Sequence, residues 1–322
     1  MTTVLERARG GDDRAFGELT APYARELHLH CYRMLGSVTD ADDVLQEILL
    51  AAWTGLSGFA ERSSLRTWLY RIATNRCLNA IRDGKRRPPT EPLPPFDPPE
   101  PTQRGDITWL QPYPDTWLED HAVRRETVEL AFVTALQRLP PRQTATLVLV
   151  DVLGFTMAEV AQMMDTTQTA IKGALQRARA SVGSPRDADL ARSAGNTQLP
   201  ALGERPDTAG EWAVARRFAE AFVADDIEAV TDLLTDDAWL AMPPAPHEYQ
   251  GPAAIAAFLH ASAAGRRGAR VRLDPSPCNH QPGFRCYFLT DDHPPRYAGR
   301  FVLTISEDRI TRITRFLDPA LE

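Results

Sequence analysis

At 322 residues, with 43% hydrophobic and 25% charged residues, the chain has room for two or three ordinary domains with real cores. The longest apolar run, near Ile48 to Trp53, is too short to span a bilayer, and Glu6, Arg7 and Arg9 stand where a signal peptide needs an apolar centre, so a cytoplasmic protein without a membrane span is expected. A formal net charge of −7 argues against a free-standing, non-specific DNA binder, because Lys and Arg supply most of that affinity.

In chain order, residues 4 to 17 and 22 to 35 read as two helices, the second carrying Leu27, Leu29, Tyr32 and Leu35. His28 and His30 in that helix have no third ligand at a metal-like spacing and read as solvent or core histidines. Cys31, Cys77, Cys278 and Cys286 show no short paired spacing, so reduced core thiols are expected, with no metal and no cofactor. Residues 40 to 53 form the next helix, with Ala41, Val44, Leu45, Ile48, Leu49 and Ala52 on one side, Asp42, Asp43, Gln46 and Glu47 on the other, and Asp40 as N-cap. Taken alone, that is a capped, solvated helix. A further helix is predicted over 65 to 83, with Leu65, Leu69, Ile72, Ala73, Arg76 and Ala80 inward and Arg66, Arg71, Thr74, Asn75 and Arg82 outward. Between residues 61 and 87, Arg62, Arg66, Arg71, Arg76, Arg82, Lys85, Arg86 and Arg87 face only Glu61 and Asp83, a balance that suits either a solubilising face or contact with nucleic acid.

The phrases Tyr32-Arg33-Met34-Leu35-Gly36, Asp40-Ala41-Asp42-Asp43-Val44-Leu45-Gln46-Glu47 and Phe59-Ala60-Glu61-Arg62-Ser63-Ser64-Leu65-Arg66-Thr67-Trp68-Leu69-Tyr70-Arg71-Ile72-Ala73 follow one another here. This run resembles the second conserved region of the extracytoplasmic-function group of bacterial sigma factors, the promoter-recognition subunits of RNA polymerase. The resemblance implies that Asp43, Gln46 and Glu47 dock on the clamp of the largest polymerase subunit, where acids suit a basic surface and repel DNA. It also implies that the loop with Glu61, Arg62, Ser63 and Ser64 captures a flipped-out base of the −10 element, while Arg66, Arg71 and Asn75 hold the melted strand. Trp68 and Tyr70 would either stack on unpaired bases or join the core, the latter being the expectation for Trp68.

The segment Pro88-Pro89-Thr90-Glu91-Pro92-Leu93-Pro94-Pro95-Phe96-Asp97-Pro98-Pro99-Glu100-Pro101 cannot sustain a helix and reads as an extended, fairly stiff linker over 85 to 119. Trp109-Leu110-Gln111-Pro112-Tyr113-Pro114-Asp115 is too apolar for a solvated tether and must rest on either polymerase or another part of this chain. In sigma factors this linker runs through the polymerase cleft.

A second helical unit is predicted over 120 to 184. Pro140 and Pro141 start one helix, and Thr156 with Glu159 makes a capping-box pattern for another, packed through Val160, Ala161 and Met164. A turn at Asp165 and Thr166 leads to a helix whose inward residues are Ile171, Leu175 and Ala178. Such a pair suggests helix-turn-helix, although a structural hairpin has the same pattern. Its place after the first motif resembles the fourth conserved region of the same sigma group, which implies contact with the polymerase flap region and with the −35 element. There Gln168, Thr169, Lys172, Gly173 and Gln176 would meet base edges, and Arg177 and Arg179 phosphates.

A looser linker spans 185 to 210, and a separate domain is expected over 211 to 322. Its predicted helices carry Trp212, Phe218 and Phe222, then residues 227 to 234, then 251 to 259. Strands are predicted at 238 to 242, 271 to 273, 284 to 289, 297 to 305 and 310 to 317, an α+β order. With the closing phrase Arg309-Ile310-Thr311-Arg312-Ile313-Thr314-Arg315-Phe316, it resembles the SnoaL-like cone of the nuclear-transport-factor-two superfamily. Trp239, Met242, His247, Tyr249, Asn279, His280, Tyr287, Asp291 and Arg300 are the candidates for a pocket taking a small ligand. The resemblance implies a regulatory domain acting in cis. A small-molecule-binding or catalytic cone fused to a sigma-like regulator, and a conventional repressor or activator, remain as alternatives. The expectation is thus two all-α domains followed by an α+β cone, with core RNA polymerase and promoter DNA as partners and no enzymatic activity.

Overall fold

The computed structural model describes residues 3–83, 96–104, 110–118, 127–182, 208–243, 245–291 and 293–317. Prolines 88 to 95, Trp109, and most of the stretches expected as linkers lie outside the described residues. The chain forms two compact units, one of residues 1–87 with 135–182, the other of 88–134 with 183–322.

In the first unit, α1 (Val4–Arg9) ends at Gly10, and Gly11 takes a left-handed φ of 87° before Asp12 caps α2 (Asp13–Leu35) by accepting from the Ala15 amide at 3.0 Å. The expected break at Pro22 does not occur: Pro22 lies inside α2, and the chain turns at the glycines instead. Gly36, at φ 72°, closes α2. Next, α3 (Val38–Gly55) is capped by Ser37, whose hydroxyl accepts from the Asp40 amide at 3.0 Å. Asp40 is therefore in the first turn, not at the cap, where its charge still suits the helix dipole. Ala41, Val44, Ile48 and Ala52 are buried.

Ser64 caps α4 (Leu65–Arg82), which buries Thr67, Leu69, Tyr70, Ala73, Thr74 and Cys77. Thr74 thus faces inward, contrary to the stripe read from sequence, because it contacts buried His30 at 3.1 Å. The later helices are α5 (Leu130–Arg138), α6 (Pro141–Leu147), α7 (Met157–Met163) and α8 (Gln168–Val182). A single π-helical turn, Val148–Val152, follows α6. Pro140 and Pro141 start α6, and Thr156 and Glu159 complete the capping box of α7 with both reciprocal bonds. Asp165, at φ 47°, turns the chain toward α8, which buries Ile171, Leu175 and Ala178.

The second unit has a sheet of strands β1 (Gln103–Arg104), β2 (Leu234–Ala241), β3 (His247–Gln250), β4 (Arg270–Pro275), β5 (Gly283–Thr290), β6 (His293–Ser306) and β7 (Arg309–Phe316), ordered β1-β3-β2-β7-β6-β5-β4. Only β2 and β7 pair in parallel. Helices α9 (Thr208–Val223), α10 (Ile227–Thr231) and α11 (Pro252–Gly265) belong to the same unit. Phe218, Phe258, Phe284 and Phe301 are each at most 2% exposed in one core, where burying each ring contributes about 2 to 3 kcal/mol. Alternation along the strands sends Leu240, Cys286 and Phe301 to this core and Trp239, Tyr287 and Arg300 to the opposite face. Strands β1 and β3 were not foreseen. The former is a two-residue piece of the stretch expected as a linker, extended where it pairs with the edge of β3.

Candidate polymerase, promoter and linker-holding surfaces

On α3, Asp43 and Gln46 are exposed and Glu47 is half-buried, with one of its oxygens 3.8 Å from Arg76 Nη1. The three side chains lie within about one helical turn and share an acidic, solvent-facing edge. The loop before α4 is shaped by Glu61 at φ 54°, whose carboxylate meets Arg9 at 2.9 Å. Arg62 is exposed and Ser63 half-buried. The Ser64 hydroxyl is engaged in capping, accepting from the Thr67 amide at 3.0 Å.

Residues expected to hold the melted strand divide sharply. Asn75 is exposed. Arg66 is half-buried, bound to Glu26 at 3.2 Å, with its guanidinium 5.0 Å from the Tyr70 ring and 4.6 Å from that of Phe155. Arg71 pairs with Asp165 at 3.4 Å. Tyr70 does not stand out for bases: it is fully buried, edge-on to Phe155 at 5.1 Å, and burial pushes its hydroxyl pKa up. Thr67 donates to Glu159 of α7 at 3.3 Å. Backbone and hydroxyl bonds from Thr156 hold the Glu159 carboxyl below its usual range, so it stays an acceptor. Trp68 is half-buried and tilts against buried Phe59 at 5.0 Å, packed on the edge of the core.

On α8, Gln168, Thr169, Lys172, Gln176 and Arg177 are exposed along one edge and Gly173 is half-buried. A Cβ at Gly173 would come within 3.3 Å of Arg177 Nη1. Arg179, although half-exposed, makes a two-bond ion pair with Asp151 at 2.7 and 2.9 Å, which competes with any phosphate contact.

In the second unit, the described parts of the segment expected as an extended linker are held at several points. Gln103 and Arg104 pair antiparallel with Glu248 and His247. Tyr249 Oη donates to the Pro99 carbonyl at 2.8 Å, the Gln250 amide donates to Thr102 Oγ1 at 3.0 Å, and Phe96 lies 5.4 Å from Phe258. Asn279, left-handed at φ 58°, exchanges bonds with Tyr113 in both directions, 2.7 and 2.8 Å, and its Nδ2 donates to the Val128 carbonyl at 2.6 Å. The His280 amide donates to Asp115 Oδ1 at 2.7 Å, and Gln281 accepts from the Leu130 amide at 3.0 Å while donating to Thr304 at 2.8 Å. The aromatic patch rests on the C-terminal domain.

The pocket candidates do not converge. His247 and Tyr249 share one face of β3, whereas Trp239, Tyr287 and Arg300 project from the other side of the sheet. Tyr287 packs on Tyr297 and Arg272, and Arg300 reaches the Cys278 sulfur at 2.8 Å. Asn279 and His280 belong to the linker contacts instead. The residues that sequence reading missed, Phe155, Glu159 as a partner of Thr67, and Gln281, carry no local signal, since their partners come from remote stretches. Among the described residues no group of three His, Cys, Asp or Glu stands ready to hold a metal ion, and no helix is long and apolar enough to cross a membrane. All four cysteines are free and buried.

Comparison with known proteins supports this layout. Family models match at residues 19–87, Sigma-70 region 2, at 129–182, Sigma-70 region 4, and at 215–313, the SnoaL-like domain. The chain is 40% identical over 97% of its length to the ECF RNA polymerase sigma factor SigG of Mycobacterium tuberculosis, covering 83% of that protein. It is 34% identical over 53% of its length to SigM from the same organism, covering 76% of it. The crystal structure of Mycobacterium tuberculosis extracytoplasmic function sigma factor SigJ shares the fold, with a TM-score of 0.61 at 21% identity, covering 95% of this chain and 97% of that one. A sigma-70 region 2, a sigma-70 region 4 and a SnoaL-like cone in one polypeptide place the chain in the extracytoplasmic-function group of RNA polymerase sigma factors.

Proposed function

We propose that the chain binds core RNA polymerase and directs promoter-specific initiation, and that its C-terminal domain restrains this activity in cis by holding the linker. In this reading Asp43, Gln46 and Glu47 seat the factor on the clamp and α8 reads the −35 element through Gln168, Thr169, Lys172, Gly173 and Gln176. The Glu61 to Ser64 loop, with Arg66, Arg71 and Asn75, takes the −10 strand.

One observation carries the regulatory part: described residues of the linker are bonded to the cone, Gln103 and Arg104 through β1 on the edge of β3 and Tyr113 through Asn279. A linker held this way is withheld from the polymerase cleft, and its release has to break buried bonds, each worth about 1 kcal/mol net. The test is run-off transcription with core polymerase, comparing the full chain with Asn279→Gly. Glycine tolerates the left-handed backbone at this position, so only the side-chain bonds are lost. Transcript yield is expected to rise several-fold while core affinity is unchanged, and an equal or lower yield overturns the restraint. A gel shift with the factor alone discriminates a conventional repressor, which binds its operator without polymerase.

A further inference from the structure

The core of the C-terminal domain contains a charge that its surroundings do not balance. Arg315 on β7 is 3% exposed, and it lies on the core face, opposite Phe301 across the β6–β7 ladder, with its guanidinium 5.1 Å from that ring. Its polar contacts are long: Nη1 to Ser262 Oγ and Nη2 to the Ala298 carbonyl, both 3.4 Å, while Nε has no hydrogen-bond partner. A second guanidinium, Arg266, stacks 5.6 Å from Phe222, whose ring lies 5.0 Å from Phe301. Arg266 reaches Asp225 through Nη2, but its buried Nε and Nη1 are likewise unpartnered.

Both cations act on one buried thiol, Cys286, and on each other. Burial raises the Cys286 pKa, so the thiol stays neutral and supplies no counter-charge. Arginine does not escape burial by losing its proton, and a cation taken out of water needs an anion or a full set of acceptors. No carboxylate among the described residues acts on Arg315. Nε of Arg315 and Nε and Nη1 of Arg266 are left as donors, which suits an anion, and the Phe301 and Phe222 rings lie beside the two guanidiniums.

We propose that this cone binds a small organic anion, its carboxylate held by Arg315 and Arg266 and its apolar body lying against Phe222 and Phe301. The site is distinct from the Asn279 contacts with the linker, so the inference holds whether or not the linker restrains transcription. A bound acid would supply the missing acceptors and stabilise the folded domain in proportion to its occupancy.

The test uses the purified full chain with sodium benzoate as probe, read by thermal unfolding and titration calorimetry against sodium phosphate and sodium chloride at equal ionic strength. Benzoate is expected to raise the unfolding midpoint saturably. Arg315→Lys, which keeps the charge but loses the fork, should bind at least tenfold more weakly. Arg315→Met should not respond at all, while unfolding at or above the unliganded wild-type midpoint. Absence of a saturable benzoate response in the wild type overturns the proposal, as does equal affinity in Arg315→Lys and the wild type, or a response to phosphate alone. Should Arg315→Met fail to fold, the lysine variant decides by itself.

Discussion

The Thr67 hydroxyl donates to Glu159 Oε1 at 3.3 Å, so the helix proposed to follow the melted promoter strand is tied to the first helix of the helix-turn-helix. Around this bond, Phe155 covers Tyr70 and Arg66, and Asp165 pairs with Arg71. In the proposed reading Arg66 and Arg71 exchange these partners for a DNA strand, and the arrangement opens before the −10 element is gripped.

Phe155→Ala tests that opening. Phe155 is 5% exposed, and removing a buried ring costs about 3 kcal/mol. Loss of its contacts should lengthen the distance between fluorescent labels at Asn75 and Thr169 and raise the affinity for a single-stranded −10 oligonucleotide. An unchanged distance together with unchanged affinity would show that the contact does not gate the strand-binding face.

Asp43→Arg combined with Glu47→Arg should abolish binding to core polymerase, measured by co-elution on gel filtration. Asp43 is exposed and Glu47 half-buried with a 3.8 Å pairing to half-exposed Arg76, so the thermal midpoint should scarcely move. Full retention of core binding would remove α3 from the polymerase interface.

On α8, Lys172→Ala and Gln176→Ala remove exposed side chains and leave the buried Ile171, Leu175 and Ala178 stripe intact. Transcription from a library of −35 variants should redistribute, each lost base contact costing about 1 to 3 kcal/mol at its own position. Arg177→Ala should instead weaken all promoters uniformly and reduce the salt dependence.

His30 sets an acid sensitivity. Burial, reinforced by Arg33, lowers its pKa to about 3, whereas the unfolded chain titrates it near the ordinary value of 6.5. Between those values the unfolded state binds the proton and the folded state does not. The stability present above about pH 6.5 therefore falls as pH drops toward 3, by up to about 1.4 kcal/mol per pH unit. Urea titrations at pH 7, 6 and 5 should show that slope in the wild type and a shallower one in His30→Gln; parallel slopes would contradict it.

What the sequence made legible was local. The Thr156 and Glu159 box, the Ile171, Leu175 and Ala178 stripe and the Pro140 and Pro141 start were readable because the signal for each lies within a turn or two of the element it specifies. Asp40 was mistaken for the cap because Ser37, Thr39 and Asp40 all have cap character and the β-branched Val38 and Thr39 hide the helix start, which Ser37 in fact caps. Thr74 was taken as outward, and Tyr70 was left open between bases and core, because the residues that bury them, His30 and Phe155, come from outside α4. The pocket candidates fall on both faces of the sheet for a similar reason: alternation along a strand shows which residues share a face, but not which face the helices cover. Strand β1 has no periodic signal in two residues, and only the free edge of β3 makes it a strand.

That edge has its own consequence. While Gln103 and Arg104 lie against β3, the His247 and Glu248 stretch of that strand is paired on its outer side. Once the linker departs, a bare strand with unpaired N–H and C=O groups is left behind, the kind of surface that recruits a second polypeptide. In the proposed reading, molecules whose linker has been released should therefore self-associate with rising concentration, which gel filtration over a dilution series checks.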